Sequence, residues 1–256
     1  MKRIKNLLDR IFIDGLSGMA QGLFATLIIG TIIQQIGTLV GGSTGDMIYA
    51  VGKVAAALTG AGIGVGVAAK FKESYLVVVS AATAGMVGAF ASKLLAGTVL
   101  VDGTMVFAGP GEPLGAFLAA YIGIECGHLV AGKTKVDILV TPIVTIGTGS
   151  LVGLLVGPGV SKIMTSLGAM INWGVEQQPF LMGIVVSVLM GMILTLPISS
   201  AALGIILNLS GLAAGAATVG CCCNMVGFAV ASYRENKIGG LVAQGIGTSM
   251  LQVPNI

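Results

Sequence analysis

Charged residues come in short groups, separated by long uncharged stretches. Residues 16–45, 74–92, 138–161 and 177–233 contain no Asp, Glu, Lys or Arg. A bilayer-crossing helix needs about 20 mostly apolar residues, and several of these stretches reach that length. The segment 181–194, LMGIVVSVLMGMIL, is apolar on every side. It lacks the period-two alternation of barrel strands, so it reads as a lipid-buried helix. The pattern predicts an all-α fold, a polytopic transmembrane helix bundle with re-entrant or broken helices.

The basic groups set the expected orientation, because cytoplasmic loops are enriched in Lys and Arg. Lys2, Arg3, Lys5 and Arg10 put the N-terminus inside, and residues 1–14 read as an amphipathic surface helix rather than a cleaved leader. Five spans are expected within 16–157, at 16–40, 47–69, 74–95, 113–131 and 136–157. They return inside at Lys70 and Lys72 and again at Lys133 and Lys135. Lys53, Lys93 and Lys162 are single exceptions, of which Lys53 and Lys93 lie near outer ends and can snorkel to the interface. Beyond Gly157 the pattern loosens. Residues 164–178 predict an outer-face helix or a re-entrant segment, and 180–196 a sixth span. A re-entrant hairpin is expected around the break at Asn208, and 238–256 reads as a half-finished span. The whole of 1–256 is taken as a single membrane domain, with 158–256 supplying a span plus re-entrant segments and possible truncation at the C-terminal end.

Composition sharpens this picture. Only 9% of the residues are charged, against about 25% in soluble domains, which leaves no room for a soluble enzyme domain. No basic stripe interleaved with aromatics suggests nucleic acid as a partner. The chain has 41 glycines. In the run GAGIGVG, Gly60, Gly62, Gly64 and Gly66 form overlapping small-xxx-small pairs, the signal of a tight bundle or a dimer.

Some motifs offer chemistry. Residues 127–134, GHLVAGKT, fit the phosphate-loop pattern, but they end a membrane span where the motif requires a strand-to-helix loop. Cys126, Cys221, Cys222 and Cys223 lack zinc-site spacing, and three consecutive helical cysteines point about 100° apart. No metal ligands, cofactor site or catalytic residues are assigned. Glu125 and His128 are helical neighbours at the inner end of span four, either an interfacial polar pair or a site. Glu176, Gln177 and Gln178 offer a carboxylate and two amides for sugar hydroxyls, with Trp173 as a stacking face. The same residues could also simply cap an outer loop. Ser199, Ser200, Asn208 and Asn224 either line a solute path or bond between helices.

The strings QQPFLMGIVVSVLMGMILTLPISSAALGI, LSGLAAGAATVGCC and NMVGFAVASYREN, with FIDGLSGMAQGLFATLIIGTIIQQIG and VDILVTPIVT, resemble bacterial phosphotransferase-system sugar transporter IIC components. The resemblance covers essentially the whole chain. It implies a homodimeric permease of the bacterial inner membrane that carries a sugar for phosphorylation by separate IIB and IIA chains. It also implies a Glu and a His on the sugar hydroxyls, for which Glu176 and His128 are the candidates. Similar proteins usually continue past MLQVPNI, so the chain reads as a shortened member or a fragment. A permease for another small polar solute without phosphorylation, and a non-transporting membrane scaffold or regulator, remain as alternatives.

Overall fold

The computed structural model describes residues 9–101, 104–107, 109–194, 204, 207, 209–247 and 249. It is helical apart from a two-strand hairpin, β1 (Leu100–Val101) with β2 (Thr104–Met105). The chain forms two compact units, Met1–Lys162 and Ile163–Ile256, each taken here by itself.

The first unit opens with α1, Arg10–Val40. From Arg10 the helix runs without a break into the span, so residues 10–14 of the expected surface helix continue into it, and residues 1–8 lie outside the described residues. The chain reverses at Gly41, where φ is +66°, a conformation open to glycine at no steric cost. It returns as α2 (Gly42–Ala57) and α3 (Thr59–Lys70), bent by 53° at Leu58. α1 lies antiparallel to this pair, with glycine against glycine at four levels: Gly18 with Gly66, Gly22 with Gly62, Gly30 with Gly52, and Gly37 with Gly45. Without side chains between them, the backbones reach van der Waals contact, which drives helix association where lipid gives no hydrophobic force. The Leu58 bend has a counterpart in α1. Residues Phe24–Ile28 form a π-helical turn at the same level, between the Gly22–Gly62 and Gly30–Gly52 contacts. Both partners are irregular together, so the glycine register continues on either side.

The run GAGIGVG therefore serves two helices. Gly62 and Gly66 face α1, while Gly60 and Gly64 face Gly85 and Ala81 of α4 (Tyr75–Ala89). That makes α3 the centre of the unit, with Ile63 and Val67 fully buried. A short helix, α5 (Ala91–Leu95), follows a kink at Phe90, where φ is −109° and ψ 14°. The predicted third span is thus two helical pieces. After the β-hairpin, α6 (Pro113–Val130) comes back antiparallel to α4, with Gly88 against Gly115. Then α7 (Asp137–Gln177) leaves, with Gly149 against Ala119 and Thr145 against Gly123. The buried Thr145 hydroxyl is satisfied within its own helix, with Oγ1 donating to the Thr141 carbonyl at 2.8 Å, as an apolar surrounding demands.

α7 corrects the sequence reading. The fifth span was expected to end at Gly157, with an outer-face helix or a re-entrant segment over 164–178. The structure has one helix of 41 residues that passes through Pro142 and Pro158, about twice the length a span needs. Proline removes one backbone donor, but membrane helices tolerate the loss.

In the second unit, α8 (Pro179–Ile193) and α9 (Gly211–Ala231) lie side by side in the same direction. Ser187 meets Gly220, and one turn later Gly191 meets Asn224. Val175, Val186, Met190, Ala213 and Ala217 form the core. α9 is unbroken over 21 residues and long enough to span, where the sequence predicts one arm of a hairpin. The hairpin's other arm and Asn208 itself lie outside the described residues. A final helix, α10 (Tyr233–Val242), is kinked at Lys237, where φ is +53°, and a π turn over Ala243–Gly247 follows.

Four described helices are long and apolar enough to cross a membrane, or five if the bent α2–α3 pair counts as one span. Large apolar side chains such as Leu39, Leu155 and Leu212 are exposed along them, as lipid contact requires. The chain is a multi-pass membrane protein.

Candidate functional site

Two polar groupings are candidates, one in each unit. The first gathers at the end of the first unit where α1 begins, α3 ends and α6 ends. Arg10 Nε donates to Glu125 Oε1 at 2.7 Å. A second guanidinium nitrogen, Nη2, reaches Glu73 Oε1 at 3.3 Å. The other Glu73 oxygen lies 2.8 Å from His128 Nδ1. Below this chain of charges, the Arg10 guanidinium sits 4.2 Å from the Phe71 ring centroid, and Phe71 meets Tyr121 edge-on. The Glu73 side chain is only 5% exposed. A carboxylate taken so far out of water is retained because both its oxygens are engaged by charge-assisted partners.

The sequence paired Glu125 with His128 as helical neighbours. The structure does place both in one cluster, but joins them through Arg10 and Glu73, which sequence reasoning missed. Their only sequence signal was a charge at the edge of an apolar run.

The phosphate-like string lies at the same end. Gly127–Val130 completes α6, and Gly132 turns the chain with φ +71°. The Gly132 N–H donates to Asp137 Oδ1 at 2.9 Å. Lys133 Nζ donates back to the Leu129 carbonyl at 2.8 Å, capping the helix end. This is a helix C-terminus turning into the next helix, not a strand-to-helix phosphate cradle.

The second grouping is the corner between α7 and α8. Trp173, Glu176 and Gln177 fall on the last turns of α7, and Gln178 precedes α8, whose first residue is Pro179. Glu176, Gln177 and Gln178 are exposed, and Trp173 is 63% exposed. Trp173 lies three residues before Glu176 and four before Gln177, so the indole and these polar groups share a face. One turn earlier, Asn172 Oδ1 accepts from the Ser210 N–H at 3.2 Å. That bond ties the start of α9 to α7.

The remaining candidates divide. The Asn224 side-chain oxygen accepts from Ser249 Oγ. Ser199, Ser200 and Asn208 lie outside the described residues. The Cys221 thiol turns toward the Met190 carbonyl, while Cys222 and Cys223 are exposed, so the three cysteines diverge.

Compared with known proteins, residues 13–256 match the family described as "Phosphotransferase system, EIIC". Neither the curated proteins nor the solved structures contain a match to the chain.

Proposed function

Since the chain belongs to the phosphotransferase system EIIC family, we propose that it is the permease that carries a sugar across the bacterial inner membrane for phosphorylation by separate IIB and IIA chains. The observation that carries this reading is the extent of the family match. It runs through both compact units of a multi-pass chain, so 1–256 is read as one membrane domain.

For the sugar-binding site we put forward Trp173, Glu176, Gln177 and Gln178. An indole face with a carboxylate and two amides suits a ring that is apolar on its faces and hydroxylated at its edge. A helix break supplies unpaired backbone groups beside them. Ser199, Ser200 and Asn208 are proposed to join from the following segment, and Asn224 from α9. Glu125 and His128 are read as part of the packing at the other grouping, where Arg10 holds Glu125 Oε1 and Glu73 holds His128 Nδ1. The N-terminus is taken as cytoplasmic, since Arg10, Lys70, Lys72, Lys133 and Lys135 collect at one end of the first unit, and the permease as a homodimer.

The test is uptake by vesicles containing the purified chain, with a panel of labelled sugars. Accumulation of sugar phosphate only when phosphoenolpyruvate and the carrier proteins are present supports the reading. Glu176→Gln should then lower uptake by about tenfold or more, the scale of a lost charge-assisted bond. Saturable uptake without any phosphoryl donor rejects coupling to phosphorylation.

A further inference from the structure

The end of the first unit that holds Arg10 and Glu73 is nearly balanced in formal charge, yet its surface is not. Three of its acids are turned to internal partners. Glu73 is held by Arg10 and His128, and Glu125 by Arg10. Asp137 accepts from the Gly132 N–H and from Thr141 Oγ1. Asp14 on α1 and Asp9 just before it are half-buried. The lysines do the opposite: Lys70, Lys72, Lys133 and Lys135 are all exposed. The Glu73–His128 bond draws the loop bearing Lys72 to the helix end that leads to Lys133, so the segments bearing the four lysines meet at one end of the unit.

Large apolar side chains flank these lysines. Tyr75 is 91% exposed beside Lys72, Leu129 is 65% exposed before Lys133, and Ile138 is 72% exposed after Lys135. Alternation of ammonium groups with exposed apolar and aromatic side chains, at the ends of bilayer-length helices, is the layout of a membrane–water interface. Lys133 spends one N–H on the Leu129 carbonyl and keeps others for an external acceptor.

We infer that this surface binds the phosphate headgroups of anionic lipids, with the lysines on the headgroups and Tyr75, Leu129 and Ile138 among the acyl chains. An acidic protein partner would match the lysines but leave the apolar side chains without a role. The selectivity does not depend on which solute the protein carries.

The purified full chain is placed in nanodiscs of mixed phosphatidylcholine and phosphatidylglycerol, and the lipid retained on extraction is measured by native mass spectrometry. The wild type should retain phosphatidylglycerol preferentially. Each Lys→Gln change among the four should cut the preference by up to about fivefold, from the contribution of one lysine at an anionic surface. K70R/K72R/K133R/K135R should keep it, while K53Q and K93Q should leave it unchanged. Equal retention of the two lipids, or a preference that survives all four Lys→Gln changes, overturns the inference. Displacement of the lipid by inorganic phosphate at low concentration also overturns it, by showing that a free anion is the ligand.

Discussion

His128 Nδ1 and Glu73 Oε2 stand 2.8 Å apart across 55 residues of chain, and this bond closes one end of the first unit. It joins the loop after α3 to the last turn of α6, while Arg10 ties α1 to the same carboxylate. Three helix ends are thus held by one buried glutamate. The pair is unequal: Glu73 is almost fully buried, whereas the His128 side chain is 60% exposed. Removing the glutamate strips partners from both Arg10 and His128, but removing the histidine leaves Glu73 its arginine.

Glu73→Gln should therefore destabilise the protein by about 1.5–3 kcal/mol, the range for hydrogen bonds to charged groups. Glu125→Gln should cost less, below about 1 kcal/mol, because that ion pair is a third exposed on both sides and solvent screens it. The measurement is thermal unfolding in detergent. A double-mutant cycle of Glu73→Gln with His128→Gln should show coupling of about 0.5 kcal/mol or more. Equal effects at Glu73 and Glu125, with no coupling, would remove Glu73 from its central place.

The glycines divide into two classes with opposite expectations. A methyl group at Gly22 or Gly64 would overlap the carbonyl oxygen of Gly62 or Ala81, respectively. Gly22→Ala and Gly64→Ala must push whole helices apart, at about 1–3 kcal/mol. Gly147, Gly183 and Gly215 are helical, with nothing within 4 Å of an added methyl. There, Gly→Ala should be neutral or stabilising by up to about 1 kcal/mol through helix propensity. Thermal midpoints of the five single variants check the split, and destabilisation of similar size in all five would refute the facing register.

Much of this fold could be read from the sequence, and the failures share a cause. Span four was placed at 113–131 and the helix runs Pro113–Val130, because charge and proline mark both ends locally. The GAGIGVG run announced close packing, yet the partners of its two faces depend on Gly18 and Gly22 on one side and Ala81 and Gly85 on the other. Span five was ended at Gly157, where the apolar pattern loosens, whereas the helix runs on through Pro158 to Gln177. The bend at Leu58 has no proline to signal it and is shared with α1. Of the candidate groupings, Trp173 through Gln178 could be seen as a polar cluster in one stretch. The Arg10–Glu73 link could not, because it spans 63 residues and neither residue belongs to a motif.

Glu112 gives a pH prediction. It precedes α6, and its carboxylate accepts from the Leu114 N–H at 3.2 Å. Burial raises its pKa above the ordinary glutamate value of 4.5, and the Leu114 hydrogen bond only partly opposes this. With a raised folded-state pKa, the native protein holds its proton more tightly than the unfolded chain. The resulting stability is full below pH 4.5 and fades as pH rises through the folded-state value. Wild type compared with Glu112→Gln should thus lose relative stability on going upward from about pH 4, as the charged form begins to cost burial energy. Parallel stability curves for the two proteins would show that burial does not govern this carboxylate.

The antiparallel run of α1, the α2–α3 pair, α4 and α6 fixes which loops share a side, independently of any charge rule. The glycine register sends α1 away from the Arg10 end and the α2–α3 pair back to it at Lys70. α4 leaves again, and α6 returns to Val130. Residues 71–74 and 131–136 therefore share one end of the first unit, and the turn at Gly41 and the loop after Leu95 the other, which predicts that each pair shares a face of the membrane. In a chain whose four native cysteines are replaced by alanine, Lys72→Cys and Lys135→Cys should react with a membrane-impermeant maleimide from the same face. Ser43→Cys and Ala96→Cys should react only from the opposite face. All four positions are exposed, so a failure to label cannot be blamed on burial within the chain. The basic residues further predict that the Lys72 and Lys135 side is the cytoplasmic one: their labels should appear in inside-out vesicles and be absent in intact cells. If Lys72→Cys and Lys135→Cys react from opposite faces, the alternation fails. If they share a face but label in intact cells, the alternation stands and only the assigned orientation is reversed.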